Sequence, residues 1–146
     1  MSPPEFPARA WRLASWVLLA IWLSCALMVM RGMHGGVLTS YGADLTQPAW
    51  LYIVARSLDN PRRHGLLRRT IGSSPGVAAL TLFAASTLAE ISQYFWPHGL
   101  FRGTFDPLDI VAYGVGLAVC YVCDRSSQAP AIANVDRAVS REPDAR

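Results

Sequence analysis

Two acidic segments in the second half of the chain carry the side chains best suited to chemistry. Glu90 and Gln93 are three residues apart, so in a helix they lie on one face. Asp106 and Asp109 repeat this spacing, and Arg102 lies between the two segments as a counter-ion for them. Carboxylates grouped in this way can bind a cationic or hydrogen-bonding ligand, hold a metal ion or pass protons. The sequence therefore predicts a polar cluster built from these segments.

Asp106 also has a purely structural explanation. Asp followed by Pro is typical of a helix start, with the Asp as N-cap and Pro107 as the first helical residue. Asp109 then falls in the first turn, where its charge complements the helix dipole, and Tyr113 lies on the same face one turn later. We therefore assign Asp106 to a helix cap and place Asp109 and Tyr113 in the cluster.

A third polar pair, Asp44 and Gln47, precedes a weaker apolar stretch that continues to Leu58. The two residues are again three apart and share a helix face. Pro48 is compatible with a position early in a helix. We expect Asp44 and Gln47 to join the cluster from a neighbouring helix.

The composition predicts that the elements carrying these residues lie in a membrane. Of the 146 residues, 52% are hydrophobic and only 16% are charged, whereas soluble domains carry about 25% charged residues. The uncharged run 13–30 has nearly the length of roughly 20 residues that crosses a bilayer. We predict an all-α integral membrane bundle of four transmembrane helices, over about 13–30, 41–58, 77–96 and 106–123.

The first apolar run has a rival explanation as a cleavable signal peptide, because arginines precede it and Ser24-Cys25-Ala26 supplies small residues. The run continues to Met30, beyond that cleavage site. A transmembrane span is therefore the favoured interpretation.

All 13 basic residues are arginine, and their distribution predicts the topology. Cytoplasmic segments of membrane proteins are enriched in positive charge. Only Arg31 and Arg102 fall in the loops between spans one and two and between spans three and four. The N-terminus, the middle loop and the tail hold Arg9, Arg12, Arg56, Arg62, Arg63, Arg68, Arg69, Arg125 and three further arginines. Four spans with both termini cytoplasmic satisfy this rule, and they place Glu90 toward the outer face.

The segments outside the spans suggest a simple domain organisation. Proline-rich residues 1–10 are expected to form a disordered leader, residues 11–125 the membrane domain, and residues 126–146 a disordered cytoplasmic tail. Three cysteines lie within apolar runs and are expected to be reduced, packed thiols: Cys25, Cys120 and Cys123. The Cys120-x-x-Cys123 pair could also serve redox chemistry or zinc, but no second pair accompanies it.

The acidic segments resemble a known family. Glu90-Ile91-Ser92-Gln93, then Arg102, Asp106 to Asp109, Tyr113 and Gly116, are similar to the signature of VanZ-like membrane proteins and their uncharacterised relatives. The match covers about residues 88–123, and the span layout extends it to about 11–125. Two positions depart from it: Tyr113 stands where VanZ proteins usually carry Asn, and Cys120 where a second Gly is expected. The resemblance implies a small bundle in the bacterial cytoplasmic membrane with an outward-facing polar site.

These features lead to one favoured function and several alternatives. We expect no enzymatic activity, because no catalytic motif such as H-E-x-x-H occurs; a carboxylate metal site that also includes His98 is weakly indicated. No cofactor is expected, and the absence of a Lys-rich tract argues against nucleic acid as a partner. The favoured hypothesis is that the outer cluster binds a membrane lipid or another amphiphilic envelope ligand. The alternatives are a structural or assembly role and an ion- or proton-coupled carrier.

Overall fold

The computed structural model describes residues 8–32, 36–60, 66–96 and 105–139, except for the side chains of residues 37–40 and 129–139. The described chain is all-α. Its helices are α1 (Ala8–Met30), α2 (Val37–Arg56), the single turn α3 (Leu66–Arg69), α4 (Pro75–Phe95) and α5 (Pro107–Val139), and a 3-10 turn, Ile71–Ser73, lies between α3 and α4.

Three of the helices are long and apolar enough to cross a membrane: α1, α4 and the Pro107–Gln128 part of α5. Their outward faces carry large apolar side chains, among them Leu13, Leu80 and Val119, each at least 60% exposed. Apolar surface on this scale is costly in water but matches the hydrocarbon interior of a bilayer. The chain is therefore built as a membrane protein with at least these three candidate spans.

Helix α2 differs from the other long helices because it lies at the centre of the bundle. It packs against α1, α4 and α5, and its Ala49, Tyr52 and Ile53 are almost completely buried. Leu45 is the one large apolar residue exposed among the described side chains of α2. A helix that contacts protein on most sides does not need an apolar surface for lipid, which explains why α2 is less hydrophobic than its neighbours.

The contact between α2 and α5 depends on Gly116. A Cβ atom at this position would collide with the carbonyl oxygen of Leu45 in α2. Small residues of this kind let two helix backbones approach closely, which is the usual way in which helices associate in membranes.

The long helices alternate in direction. Gly42, near the start of α2, lies against Cys25, near the end of α1. The end of α2 meets the segment before α4 and a late residue of α5, since Arg56 contacts Gly72 and Asp124. At the opposite end, late α4 meets the start of α5. We call these the arginine-rich end (Arg9, Arg12, Arg56, Arg68, Arg69, Arg125) and the acidic end (Asp44, Glu90, Asp106, Asp109).

Local capping sets the observed helix boundaries. The Ser74 hydroxyl accepts a hydrogen bond of 3.2 Å from the Val77 amide, and Pro75 occupies the first turn of α4. Helix α2 ends at Ser57, whose φ of 56° is left-handed; the Ser57 and Leu58 amides donate back to Val54 and Ile53. This second helix was predicted over 41–58, so it begins and ends slightly earlier than expected.

The ends of the membrane domain differ from the prediction. Helix α1 begins at Ala8, inside the predicted leader 1–10, of which residues 1–7 lie outside the described residues. Helix α5 extends to Val139, well into the predicted disordered tail 126–146. Side chains support this continuation: Gln128 donates to Asp124 at 2.8 Å, and the Ser126 and Ser127 hydroxyls bond to carbonyls one turn earlier.

Candidate ligand-binding cluster at the acidic end

Glu90 is the central residue of the acidic end. It lies in the last third of α4 and is only 2% exposed. One carboxylate oxygen, Oε1, accepts a hydrogen bond of 2.9 Å from the Asp106 backbone amide. The other, Oε2, accepts from Gln93 Nε2 at 3.1 Å and from the Tyr113 hydroxyl at 3.3 Å. A buried carboxylate is costly unless its oxygens are hydrogen-bonded, and both oxygens of Glu90 are.

Tyr113 connects three helices. Its hydroxyl in α5 lies 3.3 Å from Glu90 Oε2 in α4 and 3.3 Å from Asp44 Oδ1 in α2. A phenol has one proton to donate, so the two carboxylates compete for it. The bundle therefore brings Asp44, Glu90, Gln93 and Tyr113 together, as their spacing predicts.

Asp106 combines the capping role with a position in the cluster. Its Oδ1 accepts a hydrogen bond of 2.9 Å from the Leu108 amide at the start of α5. Its Oδ2 accepts a hydrogen bond of 3.0 Å from the Tyr41 hydroxyl in α2. Tyr41 was not among the predicted site residues, although it lies three positions before Asp44 and so shares a helix face with it.

Asp109 is the carboxylate of the cluster that lacks hydrogen bonds to any described residue. It is half-buried in the first turn of α5. Its charge interacts with those of Asp44, Glu90 and Asp106. Gln47, which was predicted to join the cluster, is half-buried in α2 and takes no part in the hydrogen bonds among described residues. The predicted counter-ion Arg102 lies outside the described residues, as does His98.

The electrostatic character of the acidic end follows from this geometry. Four carboxylates converge there, and no arginine or histidine of the described ranges is hydrogen-bonded to them. Like charges in a medium of low dielectric constant disfavour one another. A proton or a bound cation would relieve this repulsion.

The described parts of the chain do not contain a ready metal site. No group of three or more His, Cys, Asp or Glu side chains there is arranged to hold a metal ion. Cys120 instead donates a weak hydrogen bond to the Ala49 carbonyl, 3.7 Å away in α2.

Exposed aromatic side chains form an aromatic rim where α4 ends, beside the acidic end. Tyr94, Phe95 and Trp96 close α4 and are all more than 60% exposed. The Tyr94 ring also contacts Phe105, with centroids 5.9 Å apart. Exposed aromatic residues concentrate where hydrocarbon meets headgroups. Glu90 lies about 9 Å from Trp96 along α4.

A second polar cluster lies at the arginine-rich end and was missed by the sequence analysis. Asp124 follows the predicted fourth span directly and was not a predicted site residue, but it is 2% exposed and forms an ion pair of 2.7 Å with Arg56. Tyr52 and Gln128 also donate to its carboxylate, each at 2.8 Å. Asp124 continues the face that runs through Tyr113 and Cys120, and this periodicity was the available signal.

Arg56 ties α2 to the start of α4 as well as to α5. Its second guanidinium nitrogen donates to the Gly72 carbonyl at 2.7 Å. A Cβ atom at Gly72 would collide with the Ala55 carbonyl, so the close approach requires glycine. This cluster is compact and fully paired, which indicates that it fastens the helices together.

The two polar clusters are separated by an uncharged layer. Residues 13–30, 45–55, 75–89 and 110–123 of the four long helices contain no Asp, Glu, Arg, Lys or His. Asp44 and Arg56 are nevertheless only about 18 Å apart along α2. Because the hydrocarbon core is about 30 Å thick, at least one cluster lies within its depth, where polar residues must face protein.

Comparison with known proteins adds no relative: no protein-family model, curated protein or solved structure matches this chain.

Proposed function

We propose that the chain is a VanZ-like protein of the bacterial cytoplasmic membrane whose acidic end faces outward and binds the cationic headgroup of a lipid or other envelope amphiphile. In this proposal α2 is the fourth span and both termini are cytoplasmic. The family assignment rests on the sequence resemblance, whose main residues meet at one end of the bundle.

The central position of α2 supports a fourth span. The helix has 20 residues, about the length needed to cross a bilayer, and runs between the same two ends as α4 and α5. Its charged residues are bonded to other helices: Asp44, two turns after the start of α2, and Arg56, its last residue. The surrounding helices supply the lipid-facing surface that α2 lacks.

The arginine distribution supports the orientation. Six described arginines lie at one end of the bundle, whereas the described part of the acidic end contributes only Arg31, just after α1. Membrane proteins retain positive charge on the cytoplasmic side, which supports an outward-facing acidic cluster.

The binding proposal rests mainly on the environment of Asp109. Its half-buried carboxylate has no hydrogen-bond donor among described residues, although it lies beside three further carboxylates. A carboxylate in this position is stabilised by an ammonium group, because the ammonium supplies both positive charge and N–H donors. The aromatic rim is at the depth at which such a headgroup would lie.

The proposal is tested by adding lipids to the purified full-length chain in detergent and following unfolding by tryptophan fluorescence. Dioleoyl phosphatidylethanolamine offers N–H donors, whereas dioleoyl phosphatidylcholine offers a quaternary ammonium without them. We expect phosphatidylethanolamine to raise the melting temperature more than phosphatidylcholine does. We expect Asp109→Asn to remove most of this difference.

Asp59→Asn is the matched control, because it removes the same charge beyond the opposite end of α2. It should leave the difference between the two lipids intact. Equal stabilisation by both lipids, or a response that survives in Asp109→Asn, would contradict binding through this carboxylate.

A structural role is the second candidate, and one observation favours it. Glu90 accepts three hydrogen bonds within the bundle, so its network also joins α4 to α5. Assays of envelope stress and glycopeptide sensitivity in cells distinguish the binding function from the structural role. A binding site predicts that Asp109→Asn folds normally and changes the phenotype, whereas a structural role predicts a phenotype only when the protein is destabilised.

A further inference from the structure

An apolar cleft runs along the side of the bundle between α1 and α5. Its volume is about 340 Å³. In the described structure α1 and α5 both pack against α2 but make no close contact with each other, so α2 forms the floor of the cleft. The cleft extends along this floor from Leu45 to Ile53, a length of about 12 Å at the rise of an α-helix.

The lining of the cleft is apolar. Among the described residues it consists of alanine, valine, leucine, isoleucine, glycine and tryptophan side chains, together with the thiols of Cys120 and Cys123. The Cys120 thiol already donates to the Ala49 carbonyl. A polar ligand would lose its hydrogen bonds on entering such a cleft, and water is retained only where it has several polar partners. The lining therefore fits a hydrocarbon occupant.

The cleft opens on the lipid-facing surface of the bundle. Val17 on α1 and Val115 and Val119 on α5 line the cleft and are also 48–60% exposed, so they form its rim. Leu45, the one large apolar side chain that α2 exposes among its described residues, lies in the cleft as well. Because α1 and most of α5 are candidate spans, this opening faces acyl chains.

A transmembrane helix fits the cleft less well than an acyl chain does. Helices associate in membranes where small residues let their backbones approach closely. Here the small residues Ala49 and Gly116 are buried inside the cleft, whereas exposed valines form its rim. The valines would hold a helix, with its diameter of about 10 Å, away from the floor. An extended acyl chain is narrower and can pass between them.

We propose that this cleft is a binding site for one hydrocarbon chain of a membrane lipid. The chain gains little hydrophobic free energy on entering, because bulk lipid and cleft are both apolar. The gain comes from packing, since the atoms that line an empty cleft would lack van der Waals partners. The lining offers no charged group to a headgroup, so the site selects the chain. This proposal does not rest on the outer binding cluster.

Trp11 makes the occupancy of the cleft measurable. It lines the cleft but is only 7% exposed, whereas Trp16 on the same helix is 66% exposed. Bromine atoms quench tryptophan fluorescence at close range. The full-length chain is placed in bilayers of a phosphatidylcholine that carries bromine in the upper part of one acyl chain. The contribution of each indole is obtained by comparison with Trp11→Phe and Trp16→Phe. We expect Trp11, despite its burial, to lose a fraction of its fluorescence comparable with that of Trp16.

Filling the cleft should protect Trp11 from bromine. Ala14→Phe places a ring inside the cleft, so it should remove most of the Trp11 quenching and leave that of Trp16 unchanged. Ala20→Phe is the matched control, because Ala20 is exposed on α1 and does not line the cleft. It should leave the quenching of Trp11 as it is in the unmodified chain.

A second pair of variants acts from the opposite wall. Val119→Phe narrows the opening and should reduce the quenching of Trp11, whereas Val122→Phe changes an exposed valine of α5 outside the cleft and should not. Phosphatidylglycerol brominated at the same position should quench Trp11 as strongly as phosphatidylcholine does, because the site selects the chain.

Several outcomes would overturn the proposal. One is a Trp11 that bromine does not quench in the unmodified chain. Another is quenching that increases as the protein is diluted in lipid, because a second copy would then be covering the cleft. Equal quenching of Trp11 in folded Ala14→Phe and Ala20→Phe would show that bromine reaches this indole by another route. Quenching by only one of the two lipids would show that the headgroup determines binding.

Discussion

The Glu90 carboxylate accepts a hydrogen bond of 2.9 Å from the Asp106 backbone amide, so the last third of α4 is fastened directly to the first turn of α5. The amide is one of the donors that a helix start leaves without an intrahelical partner. A side chain from another helix satisfies it here. This contact brings the two acidic segments of the sequence into one cluster.

Glu90→Ala should destabilise the bundle by about 3 kcal/mol. The change leaves the Asp106 amide and the Gln93 side chain without their acceptor, whereas the Tyr113 hydroxyl still has Asp44. Leu88→Ala, on the 66% exposed lipid face of α4, should cost much less. Unfolding in mixed detergent micelles measures the stability of both variants. Equal losses of stability would show that the Glu90 hydrogen bonds do not contribute specifically.

The spacing of polar residues was sufficient to predict most of this cluster. Glu90 with Gln93 and Asp109 with Tyr113 are separated by three or four residues in clearly apolar runs, so helical periodicity placed each pair on one face. Helix α2 was harder to delimit from sequence, because it is buried among three helices and its hydropathy is correspondingly low. The hydropathy of a membrane helix reflects how much of its surface faces lipid and does not measure whether the segment is helical.

The arginine-rich end could not be predicted in the same way. Asp124 is the first charged residue after an apolar run, and such residues usually mark the exit of a helix from the membrane. Its burial depends on Arg56, which is distant in sequence, and on the close backbone approach at Gly72. Contacts of this kind depend on tertiary packing, which local sequence patterns do not encode.

Tyr113→Phe should cost about 1–2 kcal/mol, because it removes the hydroxyl whose single proton the Asp44 and Glu90 carboxylates share as acceptors but keeps the ring. Tyr121→Phe is the matched control. The Tyr121 hydroxyl accepts a hydrogen bond from exposed Arg125 on the same helix, and its loss should be nearly neutral. The melting temperatures of the two variants test the difference, and a neutral Tyr113→Phe would place the hydroxyl outside the stabilising network.

Asp124→Ala should be among the most destabilising changes in the chain, at about 3–5 kcal/mol. It leaves the Arg56 guanidinium in a site where its side chain is only 12% exposed, without the paired carboxylate. Combining it with Arg56→Met should restore part of the loss, because no buried charge then remains. A double-mutant cycle measures this coupling, and strictly additive losses would contradict an energetically significant ion pair.

Gly116→Ala should disrupt the contact between α2 and α5, whereas Gly114→Ala should be tolerated. A Cβ at Gly116 collides with the Leu45 carbonyl, a backbone atom that cannot move aside alone. A Cβ at Gly114 would lie 3.5 Å from the Phe83 ring, an ordinary contact. Thermal unfolding should show a loss of several degrees for the first variant alone, and equal behaviour of the two would contradict the observed helix approach.

The outward orientation of the acidic end is tested most directly by cysteine labelling in intact cells. The native cysteines are replaced first, and Gly65→Cys, between α2 and α3 in the sequence, and Leu100→Cys, between α4 and α5, are then introduced separately. We expect a membrane-impermeant maleimide to label the Leu100→Cys variant in intact cells and the Gly65→Cys variant only after permeabilisation. The opposite pattern would place the acidic cluster in the cytoplasm and contradict an outward-facing site.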